Sequence, residues 1–216
     1  TNIAPSYLFP RPNFIPEIVI AASNENFETQ DGVLYKKVNG VKTEIIKYPQ
    51  AKEGESFTLP ETVTSVAYGA FAQTLNLKTI PNFDIITQFT QKTAFYDSSV
   101  TELVFNDSIT SLPAYTFQWS MIETVTLPKN LRYIEMNCFY SCANLKTITF
   151  RSSNPPNLDI RATEFEDCTT LTPTLGGRIY IPLGATENYT TGELFADPTI
   201  NAIADNLESL LEEKEM

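Results

Sequence analysis

The residues of this chain best suited to chemistry are its three cysteines, Cys138, Cys142 and Cys168. Cys138-x3-Cys142 resembles half of a zinc site, but tetrahedral zinc needs a second pair of ligands, and the sequence contains no histidine. No metal site is therefore expected. The missing histidine also excludes a serine or cysteine triad of the usual kind, and there is no G-x-S-x-G, P-loop or G-x-G-x-x-G. Paired carboxylates remain open, since a glycosidase needs two of them about 5 to 9.5 Å apart in a cleft. Glu102 and Glu123 are expected at matching strand positions in neighbouring units. Nothing around them suggests a buried acid with a raised pKa, so a solvated face is the expected role. No catalytic residue and no cofactor is assigned.

Two sets of residues are candidates for binding instead. The first is a threonine-rich row with mixed charge that alternation turns outward: Lys78, Thr79, Glu102, Val104, Glu123, Thr124, Thr126, Lys146, Thr147 and Thr149. Threonine is also simply a good strand former. The second set is aromatic, with Tyr96 and Tyr140 at one repeat position and Trp119, the only tryptophan, beside it. Exposed Tyr and Trp concentrate binding energy, although the same rings can pack between repeats.

A recurring frame positions both sets. In Leu131 to Phe150, LRYIEMNCFYSCANLKTITF, apolar residues lie 8 and 5 before Phe139 (Leu131, Ile134), a small residue lies 3 after it (Cys142), and Leu145, Ile148 and Phe150 follow. The same frame fits Phe117, Phe95 and Phe71, and more faintly Phe165 with Ile160, Cys168 and Leu171; the anchors are 24, 22, 22 and 26 residues apart. Such a period marks a leucine-rich solenoid, whose rungs bury a core only by stacking. LKTITF, IETVTL and VTELVF alternate with period 2 and read as short strands pairing in parallel. The segments around each Phe read as tight turns or short helical pieces. Cys142 and Cys168 share a small-residue column with Thr74, Ser98 and Ser120. Adjacent rungs are close enough for a Cys142–Cys168 bridge, but stacked side chains rarely meet at the required dihedral, and free buried thiols are expected.

The fold class expected is thus α/β: a right-handed leucine-rich-repeat solenoid with a parallel β-ladder, strand-rich with short helical or 3-10 turns. An N-terminal β-hairpin and a C-terminal helix are expected to flank it. Residues 1–26 read as an extended lead-in with four prolines, in which Glu17 to Ala21 is a candidate capping strand. Residues 27–57 hold a hairpin signalled by Asn39-Gly40 between GVLYKK and TEIIKY. Residues 58–183 are the solenoid, with a loop at Arg151 to Asn157 and a last strand at Arg178 to Pro182. Residues 184–216 are an acidic helical cap, in which Asp197-Pro198 starts a helix and Ile200, Ile203, Leu207, Leu210 and Leu211 form its apolar stripe. A monomer is expected, with a dimer contact as the other use of that stripe.

Net charge is −11 and the isoelectric point about 4.5, which excludes nucleic acid as a partner because phosphates need a basic footprint. No apolar run approaches the ~18 residues of a membrane span. A chain beginning at Thr1 is expected to be processed or to lack its targeting segment.

The linked pieces DGVLYKKVNGVKTEIIKYP, FTLPETVTSVAYGAF, CFYSCANLKTITF and RIYIPLGATENY resemble, in order, the BspA-like leucine-rich repeat proteins of bacterial surfaces. The resemblance covers about Phe27 to Tyr189. It departs where Ala67, Pro113 and Glu135 replace the glycine expected after the rung isoleucine, and only Ala70 and Ala94 keep the alanine before the Phe anchor. It implies a secreted or surface-anchored protein that binds an extracellular protein or glycoprotein of a host or neighbouring cell, without catalysis. A glycan-binding or glycan-processing protein using paired carboxylates is one alternative, and a structural cell-surface component is another.

Overall fold

The computed structural model describes residues 14–158, 165–191 and 211–216. Its N-terminal part is an antiparallel meander of β1 (Phe27–Gln30), β2 (Val33–Val38) and β3 (Val41–Lys47). Two primed turns join these strands. Asn39-Gly40 supplies positive φ at both central positions of the expected hairpin, and Asp31-Gly32 does the same between β1 and β2. Glycine is required at Gly32, because a Cβ there would lie 2.8 Å from the Glu17 Cβ. Glu17 to Ala21 is not a strand. It runs past this turn with the Ile18 N–H donating to the Gly32 carbonyl, and further pairing stops because Ile20 N–H is taken by the Thr29 hydroxyl.

From Leu59 onward the chain climbs in rungs, each held to the next along three lines. The first is a parallel sheet of β6 (Glu102–Val104), β8 (Thr124–Leu127), β10 (Thr147–Phe150), β12 (Arg178–Pro182) and β13 (Leu211–Lys214), in that spatial order. Its strands alternate inward Val125, Leu127, Ile148, Phe150, Ile179 and Ile181 with outward polar residues, which is why the period-2 segments form here. The second line is a minor ladder of two-residue strands. β4 (Ser65–Val66) and β5 (Gln88–Phe89) extend the meander, while β7 (Ser111–Leu112), β9 (Tyr133–Ile134) and β11 (Asn157–Leu158) form a separate sheet. Asn157, expected in a loop, is therefore a strand residue, because its N–H is used by the Arg132 carbonyl.

The third line is the turn around each anchor phenylalanine. Phe71, Phe95, Phe117, Phe139 and Phe165 are fully buried and stack as one column, with successive centroids 5.0 to 5.4 Å apart and planes within 11° of parallel. The faint fifth copy keeps the same ring geometry as the other four. Backbone N–H groups at positions −2, 0 and +2 from the anchor donate forward to the next rung, as in Tyr115 to Met136, Phe117 to Cys138 and Trp119 to Tyr140. Residues at −2 and +2 reach this arrangement with positive φ: Gly69, Thr93, Tyr115 and Asn137 in one column, Gln73, Asp97, Trp119, Ser141 and Asp167 in the other. All three cysteines are buried and none is in a disulfide among the described residues. Cys142 Sγ donates to the Phe117 carbonyl at 3.0 Å and Cys168 Sγ to the Phe139 carbonyl at 3.2 Å, so each thiol serves the rung before it while remaining a close, unbridged neighbour of the other. Burial pushes the Cys168 thiol pKa up.

Because the turn N–H groups all point forward, the carbonyls of the first rung point backward without a rung to receive them. The meander meets them with β3. Tyr48 N–H donates to the Ala70 carbonyl, and the buried Lys47 Nζ donates to the Gly69 and Ala72 carbonyls at 2.8 and 2.9 Å. Burial of this amine lowers its pKa to about 7.

The C-terminal end differs from the sequence expectation. Ile160, Ile200, Ile203, Leu207 and Leu210 lie outside the described residues. Leu211, the last residue of the expected helical stripe, instead opens β13, which pairs in parallel with β12 in the register Ile179↔Leu211 and Tyr180↔Glu212. The edge of β12 offers unpaired backbone groups to whatever follows, and Leu-Glu-Glu-Lys satisfies them while Leu211 covers the core. The one α-helix among the described residues is α1 (Thr186–Thr191), whose Tyr189 is buried against Phe150.

Phe117 has a stacked ring on both sides, so Phe117→Ala is expected to cost about 3 to 5 kcal/mol in a denaturant titration. A loss below about 1 kcal/mol would mean that the column is not what holds the rungs. For Lys47, the unfolded amine titrates near pH 10.4 and the folded one near 7. Between these values the unfolded chain binds the extra proton, so the Lys47 contribution improves as pH rises from 7 towards 10 and is poorest below 7. Lys47→Met is expected to flatten that part of the stability–pH curve and to leave two buried carbonyls unpartnered, which equal slopes in the two proteins would contradict.

Candidate functional site

The register of the main sheet places the candidate strand residues in rows across the rungs. Thr79, Glu102, Thr124, Thr147 and Arg178 align in one row, beginning at Ser56, and Val104, Thr126, Thr149, Tyr180 and Glu212 align in a second. Lys78, Glu123 and Lys146 precede the first row by one residue. They are joined through Thr101 by backbone hydrogen bonds that run Thr101 to Lys78, Glu123 to Thr101 and Lys146 to Glu123. All ten candidates on this face are exposed or half-buried. The rows are therefore real, with threonine at four of their central positions.

The expected match between Glu102 and Glu123 does not hold. Glu102 lies opposite Thr124, and Glu123 is one residue out of step. The repeat frame carries this register, since Glu102 lies seven residues after Phe95 and Thr124 seven after Phe117, whereas Glu123 lies six after. A carboxylate pair facing across the ladder is thus not formed by these two residues. Among the described residues no cluster of three metal-ligating acids or thiols occurs.

The aromatic set gathers on the Phe-turn edge. The Tyr96 and Trp119 rings meet at 5.2 Å and 59°, Trp119 is 46 % exposed, and Tyr96 and Tyr140 are half-buried. Tyr140 contributes the carbonyl that receives the Trp119 N–H at 3.0 Å. The backbone around the indole is unusual. Trp119 has φ 62° and Tyr115 has φ 60°, where the other rungs place Gly69, Thr93 and Asn137 at the first position and Gln73, Asp97, Ser141 and Asp167 at the second. Glycine, asparagine and aspartate tolerate the left-handed region, whereas β-branched and bulky residues, Thr93 included, are outliers there at a cost of about 1 to 2 kcal/mol each. Rung three carries two such outliers in one turn. Alongside Trp119, Met121 is 50 % exposed, and Asp97 and Asp167 stand in the same +2 column on either side.

The sequence singled out Trp119, Tyr96 and Tyr140 and passed over Tyr115, Met121, Asp97 and Asp167, which lie in or beside the same series of Phe turns. The signal was present, since Asp97 and Asp167 fall two residues after Phe95 and Phe165 as Trp119 falls two after Phe117. What was absent from the sequence was the positive φ that turns this column outward.

Residues 48–172 match the BspA type leucine rich repeat region in six copies. Among solved structures, a leucine-rich cell-surface protein from Faecalibacterium prausnitzii A2-165 is similar, with TM-score 0.62 and 21 % identity over 77 % of this chain and 42 % of that one. The pneumococcal vaccine antigen PcpA aligns with TM-score 0.59 and 15 % identity over 93 % of this chain and 51 % of that one. A leucine-rich repeat protein from Eubacterium ventriosum aligns with TM-score 0.51 and 24 % identity over 67 % and 44 %. At these identities the likeness is one of fold, and the chain spans about half or less of the length of each structure. No curated protein matches the sequence significantly.

If strain at Trp119 is retained for its exposed ring, removing it should not harm the fold. Trp119→Asn, which suits a left-handed backbone, is expected to leave stability unchanged or raise it by up to about 1 kcal/mol in urea unfolding. A destabilisation above about 1 kcal/mol would mark the indole as a packing residue.

Proposed function

The chain belongs to the BspA-type leucine-rich repeat family, and from that premise we propose that it is a non-catalytic binding module of a bacterial cell surface, engaging an extracellular protein or glycoprotein through its stacked rungs. The observation that carries this reading is the alignment of outward residues from Ser56 to Arg178 in one row and from Val104 to Glu212 in another. Parallel pairing forbids rungs from sliding, so the rows form a surface whose side chains keep fixed mutual spacing. A partner meeting such a surface need not order it first, which lowers the cost of association. The threonines add hydroxyl donors and acceptors on a stiff backbone. The residues suited to chemistry have other roles here: the three thiols are buried in the turns, those of Cys142 and Cys168 donate to carbonyls, and Glu102 and Glu123 are out of register. The F. prausnitzii structure is described as a cell-surface protein, which supports the proposed location. No helix among the described residues is long and apolar enough to cross a membrane.

The test is a solid-phase screen of the purified chain against extracellular-matrix proteins and glycans, with a Thr126→Arg/Thr149→Arg variant in parallel. Saturable retention of the native chain on at least one protein, lost after thermal unfolding, is the expected result. Hydrolysis of a glycan that Glu102→Gln abolishes would replace this reading with an enzymatic one.

A further inference from the structure

We propose that a groove on the minor-ladder side of rung four, between Tyr133 and the loop that follows β10, binds an acidic sugar, a pyranose bearing a carboxylate. The inference rests on the reading of the chain as a binding module, and it adds a ligand class and a site away from the threonine rows.

A mismatch of loop length makes the groove. Tyr133 follows Leu127 by six residues whereas Asn157 follows Phe150 by seven, although parallel pairing holds Phe150 level with Leu127 and Asn157 level with Tyr133. The later loop, which carries Pro155-Pro156, must bulge, and between it and the loop before β9 lies a groove of about 450 Å³. That is the size of a small-ligand site. Both walls are held from behind. Asn188 Nδ2 donates to the Ser153 carbonyl at 3.0 Å, and the Tyr189 hydroxyl donates to the Ser152 carbonyl at 2.9 Å. Opposite them, Asp107 accepts the Lys129 N–H at 2.7 Å, and its carbonyl accepts Asn130 Nδ2 at 2.9 Å. A ligand therefore has neither loop to order.

The groove is also the basic part of an acidic chain. Residues 124–158 carry four bases, Lys129, Arg132, Lys146 and Arg151, against the single acid Glu135, where the whole chain has net charge −11. Lys129 and Arg132 are exposed and line the groove, and no acid among the described residues does. The carboxylates of the adjoining segments are committed elsewhere: Glu135 accepts from the Ser111 hydroxyl and the Ala114 N–H of the preceding rung, and Asp107 pairs with Arg151 at 2.8 Å. Some lining groups are committed as well. Asn130 Nδ2 serves Asp107, Asn154 Oδ1 accepts from Asn188, and Ser152 Oγ accepts the Asn154 N–H. The Lys129 ammonium, the Arg132 guanidinium and the Tyr133 hydroxyl have no such partner among the described residues. Tyr133 is 53 % exposed, and it is the one aromatic in the outward row Ser65, Gln88, Ser111, Tyr133 and Asn157.

Two cations beside an aromatic face, opposite a wall of hydroxyls and amides, suit a ligand that is anionic, flat on one side and rich in hydroxyls. The C–H face of a pyranose, made slightly positive by its oxygens, lies well on the negative face of a tyrosine ring. Arg132 offers a planar fork that matches a carboxylate, and Lys129 adds a second charge. The Ser153 hydroxyl and the Asn157 amide can exchange hydrogen bonds with sugar hydroxyls. An acidic peptide would satisfy the cations, but an extended peptide docks by adding to a sheet edge, and β9 is already paired on both sides by β7 and β11. A long polyanion such as nucleic acid is repelled by the net charge of −11.

The full chain is titrated by calorimetry with sialyllactose and with a galacturonate trimer. Lactose and the methyl ester of the trimer are the neutral counterparts, and a glutamate hexapeptide is the peptide control. At least one acidic sugar is expected to bind saturably, about ten-fold or more tighter than its neutral counterpart, and to weaken as salt rises. Arg132→Gln and Tyr133→Ser are each expected to weaken that sugar by about ten-fold or more. Serine already stands in this row at Ser65 and Ser111, and Arg132 joins the ladder through its N–H to the Thr110 carbonyl, so both variants are expected to keep the native unfolding transition. Sugar binding that survives both substitutions would overturn the proposal, and so would equal binding of the neutral counterparts. Equal binding of the glutamate peptide would overturn it in favour of a peptide site. If neither acidic sugar binds while the chain still retains a matrix protein, this site falls and the binding-module reading stands; if nothing is retained, both fall.

Discussion

Everything in this molecule depends on one spacing being satisfied three times. Neighbouring parallel strands lie about 4.8 Å apart, and offset or parallel aromatic rings prefer a similar separation. The phenylalanine column, at 5.0 to 5.4 Å, lets the Phe turns keep step with the strand ladders. A leucine in its place would fill volume without fixing a plane. The rings therefore set the pitch, and the rest of each rung adjusts to it. Extra residues are expelled to where no ladder is disturbed. The first rung interval, two residues longer than the next two, takes up length in the 3-10 turn Phe83–Ile85, whose Phe83 packs edge-on to Phe71, Phe95 and Phe105.

Keeping step also dictates the backbone of the turns. To send three N–H groups forward from five consecutive residues, the chain reverses the sign of φ at the first and last of them. That explains the small residues inside the turn. The +3 column of Thr74, Ser98, Ser120, Cys142 and Cys168 lies under the anchor carbonyls, with room only for a hydroxyl or thiol. A cysteine at this place is a small buried donor, and its weak S–H bond is enough because Ser120 N–H already serves the Phe117 carbonyl.

These relations decide how much was legible in the sequence. The rungs, their anchors and the inward residues of the main ladder followed from apolar spacing, because burial leaves a periodic mark. The Asn39-Gly40 turn was equally plain, and Asp31-Gly32 was as plain and overlooked. The minor ladder was not visible: pairs such as Ser65–Val66 or Tyr133–Ile134 are too short to show alternation, and their pairing is imposed by the ladders on either side. The register of Glu102 against Thr124 was by contrast legible and overlooked, since both fall seven residues after their anchor phenylalanines. Leu211 misled because an apolar residue following a helical stripe carries no sign of whether its partner is four residues back or a strand away. The edge around Trp119 was half legible, since side-chain identity was on view while the backbone dihedrals of the turn were not.

The forward-pointing turn amides give the stack a direction that its outline conceals. The first rung turns carbonyls towards the meander, where β3 and Lys47 stopper them, and the turn amides of the described rungs face the opposite way. Two such bodies brought together by their ends would have to meet as links of a chain do, tail to head, since a two-fold pairing would set donor against donor or acceptor against acceptor. The plug at Lys47 thus does more than finish the first rung. By occupying the accepting carbonyls of the first rung it removes the complement that the turn amides of a second copy would need to continue the stack there.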